Sequence, residues 1–351
     1  MADSTLAQDS ALDAIPGAVQ MQSVCAVTVT FGDRQHLLRP VLLALLREQA
    51  VWKIIVVSNA AKWNVQALAS ELAPDRIEVL EMGSNRGSSA AYAAGIKRAC
   101  EVGTDFIWLL DDDNEPQKGA LSELLSAHAR LNEEYPRDRL AVLPYRADQL
   151  DEVVSGWRLK RRPSSFWGFH VLDIPRKLWR KSPWGGPHPC EQLPRIAETE
   201  YGPFGGMLFH RAVVEKYGLP RADFVLYADD VEFTYRITSG GGALRVVTSA
   251  AMADLEPTGQ KAERCFWGSF QHSLKRGSDS RKYYDARNRA YLDSHCFPRN
   301  RFMFWINRQV YCSVLWLLAL AYRNTARYRL LRAAIKDGLR GRMGMRSEYP
   351  L

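Results

Sequence analysis

Phe106-Ile107-Trp108-Leu109-Leu110-Asp111-Asp112-Asp113-Asn114-Glu115-Pro116 is an unbroken apolar run that stops at three adjacent carboxylates. A run without alternation reads as a strand buried on both faces, the kind found inside a parallel sheet covered by helices. In open α/β sheets ligands sit off the carboxyl ends of the strands. Asp111, Asp112 and Asp113 are therefore placed where a ligand belongs. Carboxylates this close repel one another unless a cation or strong donors lie among them, and hard divalent ions take oxygen ligands. The same acids also suit a helix N-terminus, with Pro116 opening the helix.

The chain before this stretch alternates strands and helices. Val24 to Thr30 is a β-branched run, Leu37 to Gln49 has apolar residues at helical spacing, and Lys53 to Val57 is again a strand. A short helix over Val65 to Leu72, a strand over Ile77 to Leu80 and a small-residue helix over Gly87 to Cys100 follow. Repeated βα units imply a parallel sheet with helices on both faces. The strand ends then bring Thr30, Asn59, Asn85 and Asp113 to one edge. Between Pro144 and Pro203 the periodicity is lost, in a stretch rich in Trp, Pro and Arg that reads as an irregular insert (144–203). Beyond it, Tyr227-Ala228-Asp229-Asp230-Val231-Glu232 places a second acidic cluster at the start of a helix. Taken alone, that cluster is also what a capped helix start looks like.

The 351 residues suffice for a large core, and the formal charge of +8 is unevenly distributed. From Arg299 to Arg346 there are eleven Lys/Arg against the single acid Asp337, a local charge of +10, while the rest of the chain carries −2. This basic tail surrounds the apolar run Val310 to Tyr322. An amphipathic segment on an anionic membrane surface fits, and so does a terminal helix docked on the core with its arginines solvated. The six cysteines show no short paired spacing, which suggests neither a zinc knuckle nor a disulfide framework and fits reduced thiols in the cytoplasm. Residues 1–20 lack the basic and apolar pattern of an export signal and read as a disordered lead-in.

In this order, Val27-Thr28-Val29-Thr30-Phe31, Val56-Val57-Ser58-Asn59, Asn85-Arg86-Gly87, Asp111-Asp112-Asp113, Phe204-Gly205-Gly206, Asp229-Asp230-Val231-Glu232 with Arg236, and Tyr283-Tyr284-Asp285-Ala286-Arg287-Asn288 resemble the inverting family 2 glycosyltransferases of GT-A fold. The last motif and the basic tail are similar to the subset that adds rhamnose or galactofuranose to bacterial cell-surface polysaccharides. The resemblance implies an α/β, Rossmann-like nucleotide-sugar-binding domain with a mainly parallel sheet over 21–298, and a helical basic segment over 299–351. It implies a UDP- or dTDP-linked donor, a lipid-linked or polysaccharide acceptor, and a Mn²⁺ or Mg²⁺ cofactor. The expected location is the cytoplasm, peripheral on the inner face of the cytoplasmic membrane.

Site roles follow from the same resemblance. Thr30, Asn59, Asn85, Arg86, Asp111 and Asp112 are expected to hold the donor, and Asp111 and Asp113 the metal. Relatives place a metal-binding histidine after the base helix; here Asp254 falls near that position, with His272 the other candidate. Asp230 is expected as the base that takes the acceptor proton, Asp229 as its alternative and Glu232 as its partner. Trp167, Trp184, Gly205 and Gly206 are expected on the acceptor side, because aromatic rings stack on sugar faces; the tryptophans equally suit a small satellite core. A sugar-1-phosphate nucleotidyltransferase would need a glycine-rich basic loop that Phe31-Gly32-Asp33-Arg34 does not supply. A nucleic-acid-binding protein would carry its basic patch on the core, which is near neutral.

Overall fold

Strand β1 (Val24–Gly32) is buried from Val24 to Thr30 because it has a parallel partner on each side, β2 (Val51–Ala61) and β4 (Phe106–Asp111). β3 (Ile77–Glu81) extends the parallel part beyond β2. This is the sheet that the apolar runs require. The computed structural model describes residues 22–146, 150, 154, 161–182, 193–256, 270, 273–274, 277–297 and 299–351. Helices α1 (Gln35–Arg47), α2 (Val65–Leu72) and α3 (Ser88–Val102) connect these strands. Two apolar cores result, one on each sheet face, the first under α1 and α2 and the second under α3.

The second half of the sheet is mixed. After β5 (Asn114–Pro116), α4 (Ala120–Leu131) and β6 (Leu140–Tyr145), the chain adds α5 (Ile174–Lys181), β7 (Ile196–Glu198), β8 (Leu208–His210) and α6 (Ala212–Tyr217). Helix α7 (Asp229–Ser239) and strand β9 (Ala243–Asp254) complete it, in the order β3-β2-β1-β4-β8-β6-β9-β5 with β7 alongside β9. β8 runs antiparallel to both β4 and β6, and β9 is parallel to β6. The strands β4, β6 and β9 therefore end at the same edge. Pro116 does not open a helix: Asn114–Pro116 pairs with Asp254–Met252, and α4 begins only at Ala120. The acids are held at a strand crossing and do not cap a helix.

The C-terminal part is α8 (Asp279–Tyr291), α9 (Arg301–Ala321) and α10 (Thr325–Leu339). These helices share a third apolar core with Phe166 and Val225 of the preceding chain, so the expected division at 298/299 falls inside continuous packing. One face of α9 is docked on the core, as the second reading of the tail has it. Phe304, Tyr311, Leu315 and Ala319 of α9 are buried, and Asn307 is anchored by donating to the Ser164 carbonyl at 2.8 Å. Phe302, Trp305, Trp316, Leu317 and Leu320, on the other side, are exposed. α9 is long and apolar enough to cross a membrane by length and composition. The lead-in, Trp184 and His272 lie outside the described residues.

Candidate active site

Because β4, β6 and β9 end together, Asp111, Arg146 and Asp254 meet at one edge. Arg146 is almost wholly buried; its Nη2 donates to Asp254 at 2.6 Å and its Nη1 lies 3.7 Å from Asp111. Asn114 donates to Asp254 at 2.8 Å and to Asp113 at 3.1 Å. Gly205 packs directly against this group, where a side chain would strike Asn114, Arg146 and Asp111. Gly206 is likewise pressed on Pro144 with φ at +89°. Both glycines thus form the wall behind the acids, while Phe204 faces the cleft.

Asp112 and Asp113 are held by a second arginine. Arg34 donates to both oxygens of Asp112, at 2.9 and 3.0 Å, and to Asp113 at 3.0 Å. Burial pushes the Asp112 carboxyl up to about 7 against the opposing pull of Arg34. Burial, then the charge of Asp111, also raises Asp113. Asp111 is the open member of the triplet, 39 % exposed at its side chain and accepting from the Tyr92 hydroxyl at 2.7 Å.

Among the described residues no three His, Cys, Asp or Glu side chains form a ready-made metal cage. Asp254, expected as a third ligand, is bonded to Arg146 and Asn114, as Asp113 is to Arg34 and Asn114. The oxygen donors nevertheless suit a hard cation, since Mg²⁺-like ions bind through one or two carboxylates plus substrate phosphates and water. Asp111 meets that requirement, with Asp113 two residues away.

Asn59 and Asn85 do converge, and they bond each other: Asn59 Nδ2 donates to Asn85 Oδ1 at 3.0 Å, and Asn59 Oδ1 accepts the Arg86 amide at 2.9 Å. They shape the turn that leads to α3. Thr30 is fully buried beside them on β1, and the Arg86 side chain is exposed.

A cleft of about 730 Å³ opens in front of Asp111 and Arg146. Asp229 and Asp230 line it from the N-terminus of α7. Burial raises both carboxyls, reinforced at Asp229 by the charge of Asp230, so they titrate as a pair. Asp229 is buried with Oδ2 unbonded among the described residues, whereas Asp230 is partly exposed and accepts the Val231 amide at 2.7 Å. Glu232 is not part of the cleft lining. It pairs with Arg236 at 3.0 Å, and Arg236 donates on to the Leu219 carbonyl at 2.9 Å.

The far wall supplies Trp167, Arg161, Asp285, Arg289 and Asp293. Arg161 pairs with Asp293 at 2.6 Å and Arg289 with Asp285 at 2.6 Å, so charges here are already matched. Trp167 also stacks on Phe166, with ring centres 5.5 Å apart, and combines cleft and core roles. Arg146, Arg161, Arg289 and Asp293 escape a reading by motif. Arg146 has a legible signal: it follows directly on a buried strand, as Asp111 does.

The model for Glycosyl transferase family 2 matches residues 25–218, more than half of the chain. The chain belongs to glycosyltransferase family 2. It is 27% identical over 271 residues to galactofuranosyltransferase GlfT1 of Mycolicibacterium smegmatis, covering 77% of this chain and 82% of that one. With GlfT1 of Mycobacterium tuberculosis it is 24% identical over 273 residues, again 77% and 82%. The fold is similar to that in the crystal structure of GalNAc-T7 with UDP, GalNAc and Mn²⁺, at a TM-score of 0.50 and 12% identity. That match covers 89% of this chain and 59% of the other, and this family 2 glycosyltransferase has the GT-A fold. The family makes it a glycosyltransferase and not the alternative nucleotidyltransferase.

Proposed function

We propose that this glycosyltransferase transfers galactofuranose, with inversion, from a UDP-linked donor to a growing bacterial cell-surface glycan. The observation that supports it is one cleft with Asp111 on one side and the Asp229/Asp230 pair on the other, in a chain similar to GlfT1 over most of its length. A carboxylate opposite the nucleotide side is what inversion requires of a base. Asp230, the more exposed of the pair, takes the proton of the attacking acceptor hydroxyl. Burial keeps that proton affinity high, Asp229 is the alternative base beside it, and Glu232 fixes the helix through Arg236.

Asp111 and Asp113 would hold a Mn²⁺ or Mg²⁺ ion, which when bound offsets negative charge on the leaving diphosphate. Arg146 faces the same oxygens with Nε and Nη1 unbonded among the described residues, and adds a fixed positive charge beside them. The turn built by Asn59 and Asn85 borders the nucleoside, with Arg86 reaching the phosphates from solvent. Trp167 and the matched pairs Arg161–Asp293 and Arg289–Asp285 suit the hydroxyls and ring faces of a neutral saccharide acceptor. The exposed apolar side of α9, flanked by Arg301, Arg323 and Arg329, rests on the anionic inner face of the cytoplasmic membrane.

UDP release is measured over a panel of nucleotide sugars that includes UDP-galactofuranose and dTDP-rhamnose, alongside UDP titration calorimetry with and without Mn²⁺. UDP-galactofuranose is expected to be the substrate turned over, and Asp111→Asn to abolish the Mn²⁺-dependent part of UDP binding. Preference for another sugar refutes the donor assignment, and unchanged Mn²⁺ dependence in Asp111→Asn refutes the metal assignment. Flotation with anionic vesicles tests the membrane face: Trp316→Ser with Leu317→Ser should abolish it.

A further inference from the structure

The motif Tyr283-Tyr284-Asp285-Ala286-Arg287-Asn288 contributes Asp285 to the cleft, yet its two least exposed polar side chains, Arg287 and Asn288, are wholly buried behind it. Both point at the short loop that delivers Asp229 and Asp230. In that loop Val225, Tyr227 and Ala228 have φ of +67°, +68° and +64°. Non-glycine residues are uncommon there, and a β-branched valine is a true outlier. Such a conformation persists only where its surroundings over-determine it.

Those surroundings are specific. Asn288 Nδ2 serves three carbonyls, of Phe224, Leu226 and Tyr227, each at 2.8 Å. Arg287 Nη2 donates to the backbone carbonyls of Asp223 at 3.2 Å and Phe224 at 2.9 Å, and its Nε donates to Asn288 Oδ1 at 2.9 Å, which fixes the amide's orientation. Arg287 Nη1 donates to the Gly344 carbonyl, and the Gly344 amide donates to the Asp223 carbonyl at 2.7 Å. The tail after α10 thus closes the clamp. A buried guanidinium is costly unless its donors are met. Here carbonyl oxygens of the loop and tail meet them.

We propose that Arg287 and Asn288 are positioning residues that hold the strained Val225–Ala228 turn, and through it set Asp229 and Asp230 against the cleft, with the C-terminal tail as part of that clamp. The proposal rests on the reading of Asp230 as base. The amide donors matter more than the volume of Asn288, because carbonyls converging on one point need a donor at their centre.

The test uses the full chain and UDP release from UDP-galactofuranose. Asn288→Ala is compared with Leu331→Ala, a substitution on α10 in the same apolar core that removes no hydrogen-bond donor, and with Asn288→Ser, which keeps one donor. Asn288→Ala is expected to lower kcat about a hundredfold, the scale of a misplaced base, with the UDP Kd within threefold of the parent, and Asn288→Ser to recover part of the loss. Leu331→Ala should keep kcat per folded molecule. In an Asp230→Asn background, Asn288→Ala should cost little further, since both act on one group. Should Asn288→Ala fail to fold, the same comparisons are read from Asn288→Ser with an intermediate loss. The proposal is overturned if kcat follows the Leu331→Ala control, if UDP affinity falls together with kcat, or if the losses add in the double variant. An unimpaired Asp230→Asn refutes the base reading separately; the clamp then stands only if Asn288→Ala still loses kcat against its control and shows the same non-additivity with Asp229→Asn.

Discussion

Gly87→Ala tests how tightly the donor-side turn and the base loop are fitted. Gly87 has φ +84° and ψ 158°, a region open essentially to glycine alone. A Cβ there would fall on the Val225 carbonyl oxygen and lie 2.7 Å from its carbon. Restoring an ordinary carbon–carbon separation of roughly 3.5 Å requires a shift of about 0.8 Å or more. The hydrogen bond from the Ser89 amide to that carbonyl, 3.3 Å, would be lost. Backbone strain of about 1–3 kcal/mol and a lost hydrogen bond of about 1 kcal/mol together predict a destabilisation of about 2–4 kcal/mol. Because Val225 stands four residues before Asp229, the displacement reaches the proposed base, and a misplacement near 1 Å costs about a hundredfold in rate. Urea unfolding and UDP release by the folded protein measure the two effects. A variant within about 1 kcal/mol of the parent stability, turning over within threefold of it, would refute the fit described for this turn.

Asp230→Asn should lower turnover at least about a hundredfold while UDP binding by calorimetry is retained; a larger effect from Asp229→Asn would reverse the assignment within the pair. Burial raises both carboxyls, so the proposed base keeps its proton to higher pH than an ordinary aspartate at about 3.9. Turnover should therefore rise with pH along an acid limb displaced above that value, and a limb at the ordinary value in a pH–rate profile counts against it. Glu232→Ala removes the partner of Arg236, whose side chain is 29% exposed, so the cost of about 3–5 kcal/mol for breaking a buried pair is discounted to about 1–3 kcal/mol. Chemical unfolding should show that loss with UDP affinity unchanged, and a selective loss of turnover without loss of stability would place Glu232 in the chemistry after all.

The parallel half of the sheet was legible because its strands are continuous apolar runs separated by helical periodicity, and the sheet edge followed from topology. Asp111 and the Asp229/Asp230 pair were legible for the same reason, as acids directly after a buried strand and at a helix start. The alternative reading of Pro116 as a helix start failed because local preference yielded to pairing with β9, a partner more than a hundred residues away. The partners of the arginines were hidden by the same non-locality, although the place of Arg146 directly after a buried strand could be read. Arg34 and Arg146 meet their acids across 78 and 108 residues, and no spacing rule connects them. The tail's two faces were written in its period, since buried residues recur at 304, 307, 311, 315 and 319, but a list of apolar residues does not say which side is covered.

The uncovered side of α9 has a colloidal consequence. Phe302, Trp305, Trp316, Leu317 and Leu320 form a sticky stripe on a molecule of formal charge +8, bordered by exposed arginines. At low ionic strength like charges hold two copies apart, because the screening length is about 10 Å at 0.1 M salt. At about 1 M it falls to about 3 Å, shorter than the reach of an arginine side chain, and the stripes can meet. Raised salt thus removes what keeps the copies separate, so the purified chain should be most dispersed in dilute buffer and self-associate as salt is raised.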